Sequence, residues 1–150
     1  MPYNAIADMQ LERRRALEAG SGGNTLFLLE HTPVITLGRR ARREHVLCSD
    51  EELAARGIAI CETDRGGDVT YHGPGQLVAY PILDLRLWHQ SVGWYLRALE
   101  EVIIRLLDTY ALQGERKTGY TGVWVRNAKV AAIGIGIHNW LSLIHISEPT

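Results

Sequence analysis

The spacing of apolar residues along the chain predicts three helices. Residues 5–19 have an apolar side and an arginine-rich side, and Gly20 ends that helix. The acidic residues after Ser49 predict a short helix up to Arg56, with Ser49 as its N-cap. A long amphipathic helix is predicted from an N-capping Ser91 to about residue 110. The apolar side of the first helix contains Ile6, Met9, Leu11 and Leu17.

Apolar segments of strand length lie between and after these helices. They are residues 25–30, 34–37, 58–61, 68–72 and 77–85. Residues 122–125 and 129–137 predict a hairpin, with Arg126, Asn127 and Ala128 as its turn. No repeat or linker divides the pattern. The predicted fold class is therefore a single α+β domain, a mixed β-sheet with helices packed against it.

The composition is that of a globular protein. The 150 residues are 46% hydrophobic and 22% charged. The net charge of −1 provides no field that would attract nucleic acid or an anionic membrane, so neither is an expected partner. No apolar run approaches the ~20 residues that span a bilayer, and the first residues lack the regions of a secretory signal. Two cysteines cannot form a disulfide framework, which favours a reducing, cytoplasmic location.

Residues 65–76 read R-G-G-D-V-T-Y-H-G-P-G-Q, and they are the first candidate site. Glycines favour neither a helix nor a strand, but they let a ligand or another backbone approach closely. Between the glycine pairs the sequence alternates as a strand would, with Thr70 and His72 on one side and Val69 and Tyr71 on the other. The segment is either a wall of a small-molecule pocket or a glycine-rich hairpin with a surface histidine.

Lys129 is the second candidate, at the start of the apolar strand K-V-A-A-I-G-I-G-I. The sixteen basic residues are fourteen arginines and two lysines, so each lysine merits attention. A partly desolvated lysine here could act as an acid or base, or hold a thiolate or carboxylate. Alternatively, Lys129 is a solvated residue at a sheet edge. Gly134 and Gly136 indicate that a ligand or backbone approaches this strand closely.

Several further residues have weaker claims to a role. His31 is interpreted as a structural residue or a pocket wall. The basic loop of residues 38–43 could bind phosphate or an acidic partner, or could simply be solvated. Cys48 and Cys61 lack metal-ligand spacing and are expected to be small buried residues, and Asp84 is expected to cap a turn. No phosphate loop, dinucleotide fingerprint or metal-ligand cluster is present, so no metal or cofactor is expected.

The glycine-rich segment followed by L-V-A-Y-P-I-L-D-L resembles the signature of the lipoate-protein ligase B family, the octanoyl-[acyl-carrier-protein]:protein N-octanoyltransferases. The resemblance extends from Pro2 to Trp140. It includes L-L-E-H-T-P-V-I-T-L-G at residues 28–38, G-V-W-V at 122–125 and K-V-A-A-I-G at 129–134. The resemblance implies the catalytic-domain fold of biotin and lipoate protein ligases.

The resemblance also implies a two-step acyl transfer. Octanoyl would pass from octanoyl-acyl carrier protein to an enzyme cysteine, and then to the lipoyl-domain lysine of 2-oxoacid dehydrogenases or of the glycine cleavage H protein. Neither ATP nor a metal would be required. Lys129 would be the catalytic lysine that lowers the pKa of the cysteine. The octanoyl pocket would be lined by Arg65, Gly66, Gly67, Asp68, Val69, Thr70, Tyr71, His72, Ala132, Ile133 and Gly134.

The sequence departs from the family at both ends. The nucleophilic cysteine of the family lies beyond the K-x-x-x-I-G strand, and Cys48 and Cys61 match no catalytic position. Residues 1–140 are therefore interpreted as a partial domain, incomplete at both ends and expected to be inactive. The segment L-S-L-I-H-I-S-E-P-T at 141–150 looks like a translated sequencing adapter and is interpreted as a non-native tail, although its pattern also suits a real strand.

Two alternative functions remain open. An ATP-dependent lipoate or biotin ligase would share the fold but form an acyl-adenylate, and free octanoate with ATP would distinguish it. A non-catalytic fragment that only binds an acyl group is the second alternative, because no family nucleophile is present.

Overall fold

The computed structural model describes the backbone of residues 1–147 and the side chains of residues 1–142. The helices are α1 (Tyr3–Glu18), α2 (Asp50–Ala55) and α3 (Val92–Thr109). The strands are β1 (Thr25–Leu29), β2 (Val34–Leu37), β3 (Ala59–Glu62), β4 (Val69–His72), β5 (Val78–Ile82), β6 (Val123–Val125), β7 (Ala128–His138) and β8 (Leu141–Ser147). The three predicted helices are confirmed, and Ser49 and Ser91 both cap as expected.

The strands form two sheets. The larger is antiparallel, with the order β1-β5-β8-β7-β6. The smaller has the order β3-β2-β4, and β2 is parallel to β3 but antiparallel to β4. The α+β class is confirmed, with two sheets where the sequence predicted a single mixed one.

The two long helices cover opposite faces of the larger sheet. Helix α1 packs through Ile6 against Val78 of β5. The strand register places Val78 on the same face as Ala132, because both pair with residue 147. Ile133 therefore points to the other face, where it packs against Ile103 of α3. No helix in residues 1–147 is long and apolar enough to cross a membrane.

The buried side of α1 differs from the predicted one. Gln10 is buried with Ile6 and Leu17, whereas Met9 and Leu11 are 40% and 36% exposed. A helix turns about 100° per residue, so Ile6, Gln10 and Leu17 lie within about 40° of one another around the helix axis. The apolar side that was read from residue types alone was therefore wrong for Met9 and Leu11.

A buried carboxylate connects α3 to the start of β6. Glu100 is fully buried and accepts hydrogen bonds from Arg97 at 2.6 Å and from Arg116 at 3.1 Å. Its other oxygen accepts the backbone N–H of Gly122 at 3.2 Å. A buried charge requires such partners, because removing it from water is costly. The network therefore holds the chain just before β6.

The predicted hairpin is formed by β6 and β7, but its turn is one residue shorter than predicted, because Ala128 already belongs to β7. Arg126 and Asn127 have φ values of 49° and 68°, as the two-residue turns that match strand twist require. The register is irregular, because Val123 pairs with Ala131 whereas Trp124 pairs with Lys129. One residue of β7 is thus left over, which makes this a β-bulge.

Strand β8 lies between β5 and β7 in the larger sheet. Leu141 is buried, and the Ser142 hydroxyl donates to the Pro81 carbonyl while it accepts from the Tyr95 hydroxyl and the Leu83 N–H. Residues 148–150 lie outside the described residues. The interpretation of 141–150 as a non-native tail stays a prediction, since a segment of foreign origin with strand propensity can also pair.

The loop after β2 lies directly against the glycine-rich segment. The backbone N–H groups of Gly38, Arg39 and Arg40 donate to the carbonyls of Asp68, Arg65 and Gly67 at 3.0–3.1 Å. A Cβ at residue 38 would lie 2.5 Å from the Gly67 carbonyl oxygen, so a side chain there requires the backbone to move. This close approach holds the glycine-rich segment in place.

The variant Gly38→Ala is expected to unfold at a lower urea concentration than the parent, with a loss of roughly 1–3 kcal/mol from overpacking. The matched control is Gly23→Ala, because a Cβ at residue 23 meets nothing within 4 Å. Urea titration followed by circular dichroism measures both. Equal midpoints for the two variants would contradict the close approach.

Candidate functional site

A cavity of about 160 Å³ lies between the glycine-rich segment and β7. It brings together two segments that are about sixty residues apart in sequence. Its lining residues are Arg65, Gly66, Gly67, Asp68, Thr70, Lys129, Ala132, Ile133 and Gly134. All but three of the site residues proposed from the sequence therefore surround one cavity.

Val69, Tyr71 and His72 lie outside this lining. Val69 and Tyr71 occupy the alternate face of β4, and Tyr71 is 49% exposed. His72 shares the face of Thr70, but it lies at the end of the strand and is fully buried. The alternation read from the sequence was correct, and it is the reason that the whole segment cannot line one wall.

Arg65 braces the wall of the cavity. Its guanidinium donates to the carbonyls of Thr36 and Asp68 at 2.8 Å and to that of Gly66 at 3.0 Å, and it also contacts the Thr36 hydroxyl. The side chain is half-buried, and desolvation lowers the pKa of Arg65 from its usual value. Because all three guanidinium nitrogens bind the surrounding protein, this arginine shapes the loop rather than presenting an unengaged charge.

The β-bulge turns Lys129 toward the cavity. In a regular strand Lys129 would share the face of Ala131 and Ile133, which pack against α3. Pairing with Trp124 moves it to the face of Ala132 and Gly134. The side chain is exposed, so of the two alternatives read from the sequence the structure favours a solvated lysine over a desolvated one. Its Nζ lies 5.2 Å from the centroid of the Trp124 indole, a cation–π contact worth about 0.5–1 kcal/mol at exposed sites.

Neither cysteine lines the cavity. Both are half-buried, which corrects the expectation of burial. Cys61 lies on β3, an edge strand of the smaller sheet, and Cys48 lies in the loop before α2. Burial raises the pKa of the Cys61 thiol, which lies 3.5 Å from the Asn4 side-chain oxygen. Among the described residues, no group of three His, Cys, Asp or Glu side chains could hold a metal ion.

The other weak candidates have structural roles. Asp84 accepts the backbone N–H of Arg86 at 3.0 Å, so the expected turn cap is confirmed. In the loop of residues 38–43, Arg39 and Arg40 are exposed, and the Arg39 guanidinium lies 3.8 Å from the carboxylate of the exposed Asp64. The backbone of this loop, rather than its charge, is what supports the glycine-rich segment.

A buried polar cluster next to Arg65 was not found from the sequence. His31 donates through Nδ1 to the Met1 carbonyl at 3.0 Å and accepts the Tyr80 hydroxyl through Nε2 at 2.7 Å. The His72 ring lies 5.6 Å from that of His31 and donates to the Gln76 side-chain oxygen. Desolvation lowers the pKa of His72 to about 4. No local pattern indicated that the two histidines, which are 41 positions apart, would meet.

The stability of the folded chain is expected to decrease between pH 6.5 and 4. Below pH 6.5 the unfolded chain protonates at His72, whereas the folded chain keeps this ring neutral until about pH 4. The corresponding loss is roughly 2–4 kcal/mol, and it levels off at lower pH.

The variant His72→Asn cannot titrate and should show a weaker dependence of the urea midpoint on pH. The exposed His89→Asn is the matched control, and it should retain the parent's dependence. The same loss between pH 7 and 4 in both variants would contradict the role of His72.

The sequence matches the lipoyl protein ligase A/B catalytic domain over residues 3–148. It is 56% identical over 135 residues to an octanoyltransferase of Chloroflexus aurantiacus, covering 89% of this chain and 60% of that protein. It is 48% identical over 140 residues to an octanoyltransferase of Solibacter usitatus, covering 93% and 64%. The chain thus spans about three-fifths of the length of these relatives.

Solved structures share the fold at lower sequence identity. A bipartite lipoate protein ligase of Thermoplasma acidophilum aligns with a TM-score of 0.74 and 16% identity, covering 99% of this chain and 58% of that one. A lipoate-protein ligase A bound with ATP aligns with a TM-score of 0.71 and 13% identity, covering 83% and 53%. The expected ligase-type fold is therefore confirmed, and this chain belongs to the lipoyl protein ligase A/B catalytic domain family.

Proposed function

We propose that this chain is the acyl-binding part of an octanoyltransferase. In this proposal the donor is octanoyl-acyl carrier protein and the acceptor is the lysine of a lipoyl domain, in the cytoplasm. The observation that carries the proposal is the cavity between the glycine-rich segment and β7, with a lysine on its lining. The identity to relatives named octanoyltransferase supports the choice of acyl group.

The walls of the cavity suit an alkyl chain. Gly66, Gly67 and Gly134 present backbone without side chains, and Ala132 adds an apolar methyl group. Burying an alkyl chain contributes about 0.8 kcal/mol per CH₂, so a narrow cavity selects the acyl length. The octanoyl group would lie along the glycines, with its thioester directed to the side where Lys129 stands.

Lys129 would act on the thioester. In the proposed first step a cysteine thiolate forms a bond to the acyl carbon, and the phosphopantetheine thiolate leaves and takes up a proton. In the second step the acceptor amine attacks the acyl carbon and the cysteine thiolate leaves, while the proton that the amine loses returns to the Lys129 amine that gave one up in the first step. A nearby ammonium stabilises each thiolate and can supply the proton. No ATP is needed, because the thioester is already activated.

The proposed nucleophile is not one of this chain's own cysteines. Cys48 and Cys61 are absent from the cavity lining, so we assign the thiolate to a residue outside the 150 described by this sequence. The chain by itself is then expected to bind an octanoyl thioester without turning it over.

Octanoyl-pantetheine is expected to bind this chain and to protect Lys129, but not Lys117, from reductive methylation detected by mass spectrometry. Lys117 is the matched internal control, because it does not line the cavity. The variant Gly134→Val should bind at least tenfold more weakly, since its side chain enters the cavity. Gly93→Ala, where a Cβ meets open space, should bind as the parent does. Equal protection of both lysines would contradict the proposed site.

The same preparation tests the ligase alternative. Free octanoate with ATP should produce no acyl-adenylate and no pyrophosphate. Pyrophosphate release that depends on octanoate would favour an ATP-dependent ligase over the proposed transferase.

Hexanoyl-pantetheine is expected to bind roughly fifteenfold more weakly than octanoyl-pantetheine. It lacks two CH₂ groups, which together contribute about 1.6 kcal/mol. Calorimetric titration of the two thioesters measures the ratio. Equal affinities would mean that the alkyl chain does not enter the cavity.

A further inference from the structure

Trp124 lies beside the lysine that the proposed function uses. We propose that Trp124 is a positioning residue, whose indole holds the Lys129 ammonium at the side of the cavity. The inference rests on the proposed function, because in that function the Lys129 ammonium stabilises the thiolates. The inference adds to the proposed function a residue that fixes the position of the Lys129 side chain.

The bulge makes this arrangement possible. Trp124 and Lys129 are direct partners across β6 and β7, so their side chains leave the sheet on the same face. The Nζ then lies 5.2 Å from the indole centroid, within cation–π range. Lys129 is at the same time one of the residues that line the cavity.

The stem of Lys129 passes against bare backbone at Gly122. A Cβ at residue 122 would lie 2.6 Å from Lys129 Cε and 2.5 Å from the Ala131 carbonyl oxygen. Gly122 also has a φ of 134°, which L side chains rarely adopt. This position therefore accommodates the lysine stem only as glycine.

The aromatic ring itself is firmly held. Trp124 is 7% exposed, and its backbone exchanges two hydrogen bonds with Glu115 at 2.8 and 2.9 Å. The Tyr120 ring packs edge-on against it at 6.3 Å. The buried carboxylate of Glu100 fixes Gly122 two residues earlier. A rigid ring restricts the rotamers of a flexible lysine more than solvent would.

The chain's other lysine meets the same ring. Lys117 Nζ lies 5.6 Å from the Trp124 centroid, but Lys117 is not part of the cavity lining. Both lysines are thus expected to contact the indole, and only Lys129 is expected to be shielded by a bound acyl group. This difference allows an effect of Trp124 on the position of Lys129 to be distinguished from a general effect of Trp124 on packing.

The position of the ammonium can be measured directly. Reductive methylation with ¹³C-formaldehyde labels the two lysines and the N-terminal amine, and Lys117→Arg leaves Lys129 as the one labelled lysine. In the folded Lys117→Arg chain, the Lys129 methyl resonance should lie upfield of its value in urea, because the indole shields groups above its face. Trp124→Leu should abolish this shift, Trp124→Phe should retain part of it, and the control Trp94→Leu should leave it unchanged.

A second measurement tests the consequence for the site. In Trp124→Leu, protection of unlabelled Lys129 by octanoyl-pantetheine should fall at least threefold, while the affinity for the thioester changes less than twofold. Trp124→Phe should restore at least half of the protection. An equal loss of affinity and of protection would overturn the inference. Trp124 would then contribute to acyl binding or to folding rather than to the position of Lys129.

The Lys117→Arg chain, which keeps Trp124, tests the inference even if Trp124→Leu fails to fold. The absence of an upfield shift in the folded Lys117→Arg chain would overturn the inference by itself. If octanoyl-pantetheine does not bind the parent chain, the proposed function is wrong. The chemical shift of the Lys129 methyl groups still shows whether Trp124 holds Lys129.

Discussion

The cavity depends on a direct contact between two stretches of backbone. Residues 38–40 donate their N–H groups to the carbonyls of residues 65–68, and no side chain fits at Gly38 between them. This contact joins the end of β2 to the glycine-rich segment and makes that segment a fixed wall. The guanidinium of Arg65 strengthens it from the inside by binding three carbonyls of the same region. A loop with four glycines would otherwise have a large conformational freedom to lose.

Buried polar groups on both sides of the cavity are matched to partners. Glu100 connects α3 to the chain before β6, and the His31–Tyr80 pair lies under the other wall. Each group would be costly to bury alone, so each one specifies the arrangement of its neighbours. The pKa of His72, lowered to about 4, reflects the same burial. The stability of this part of the structure is therefore expected to depend on pH through His72, a residue that does not itself line the cavity.

The fold alone does not choose between the reactions of this family. The structures that share it at 13–16% identity include a ligase bound with ATP, and a fold can host several chemistries. The choice of a transferase is supported instead by the relatives named octanoyltransferase, together with a cavity between glycines that has a lysine on its lining. In this view Trp124 and Gly122 give the lysine its direction, while the small residues of β7 leave space for the acyl chain.

Local sequence determined the elements of this protein, and tertiary contacts determined its site. The capping serines, the β6–β7 hairpin and the alternation of β4 act over a few residues, so each could be predicted, although the turn of the hairpin is one residue shorter than predicted. The sequence also indicated that the glycine-rich segment and the 132–134 strand are unusual. Regular alternation would have directed Lys129 toward α3, and a one-residue bulge that depends on strand register reversed this. The proximity of His31 to His72 and the position of the half-buried Cys61 on an edge strand likewise depend on which strands pair. Pairing is decided by packing over the whole chain rather than by neighbouring residues.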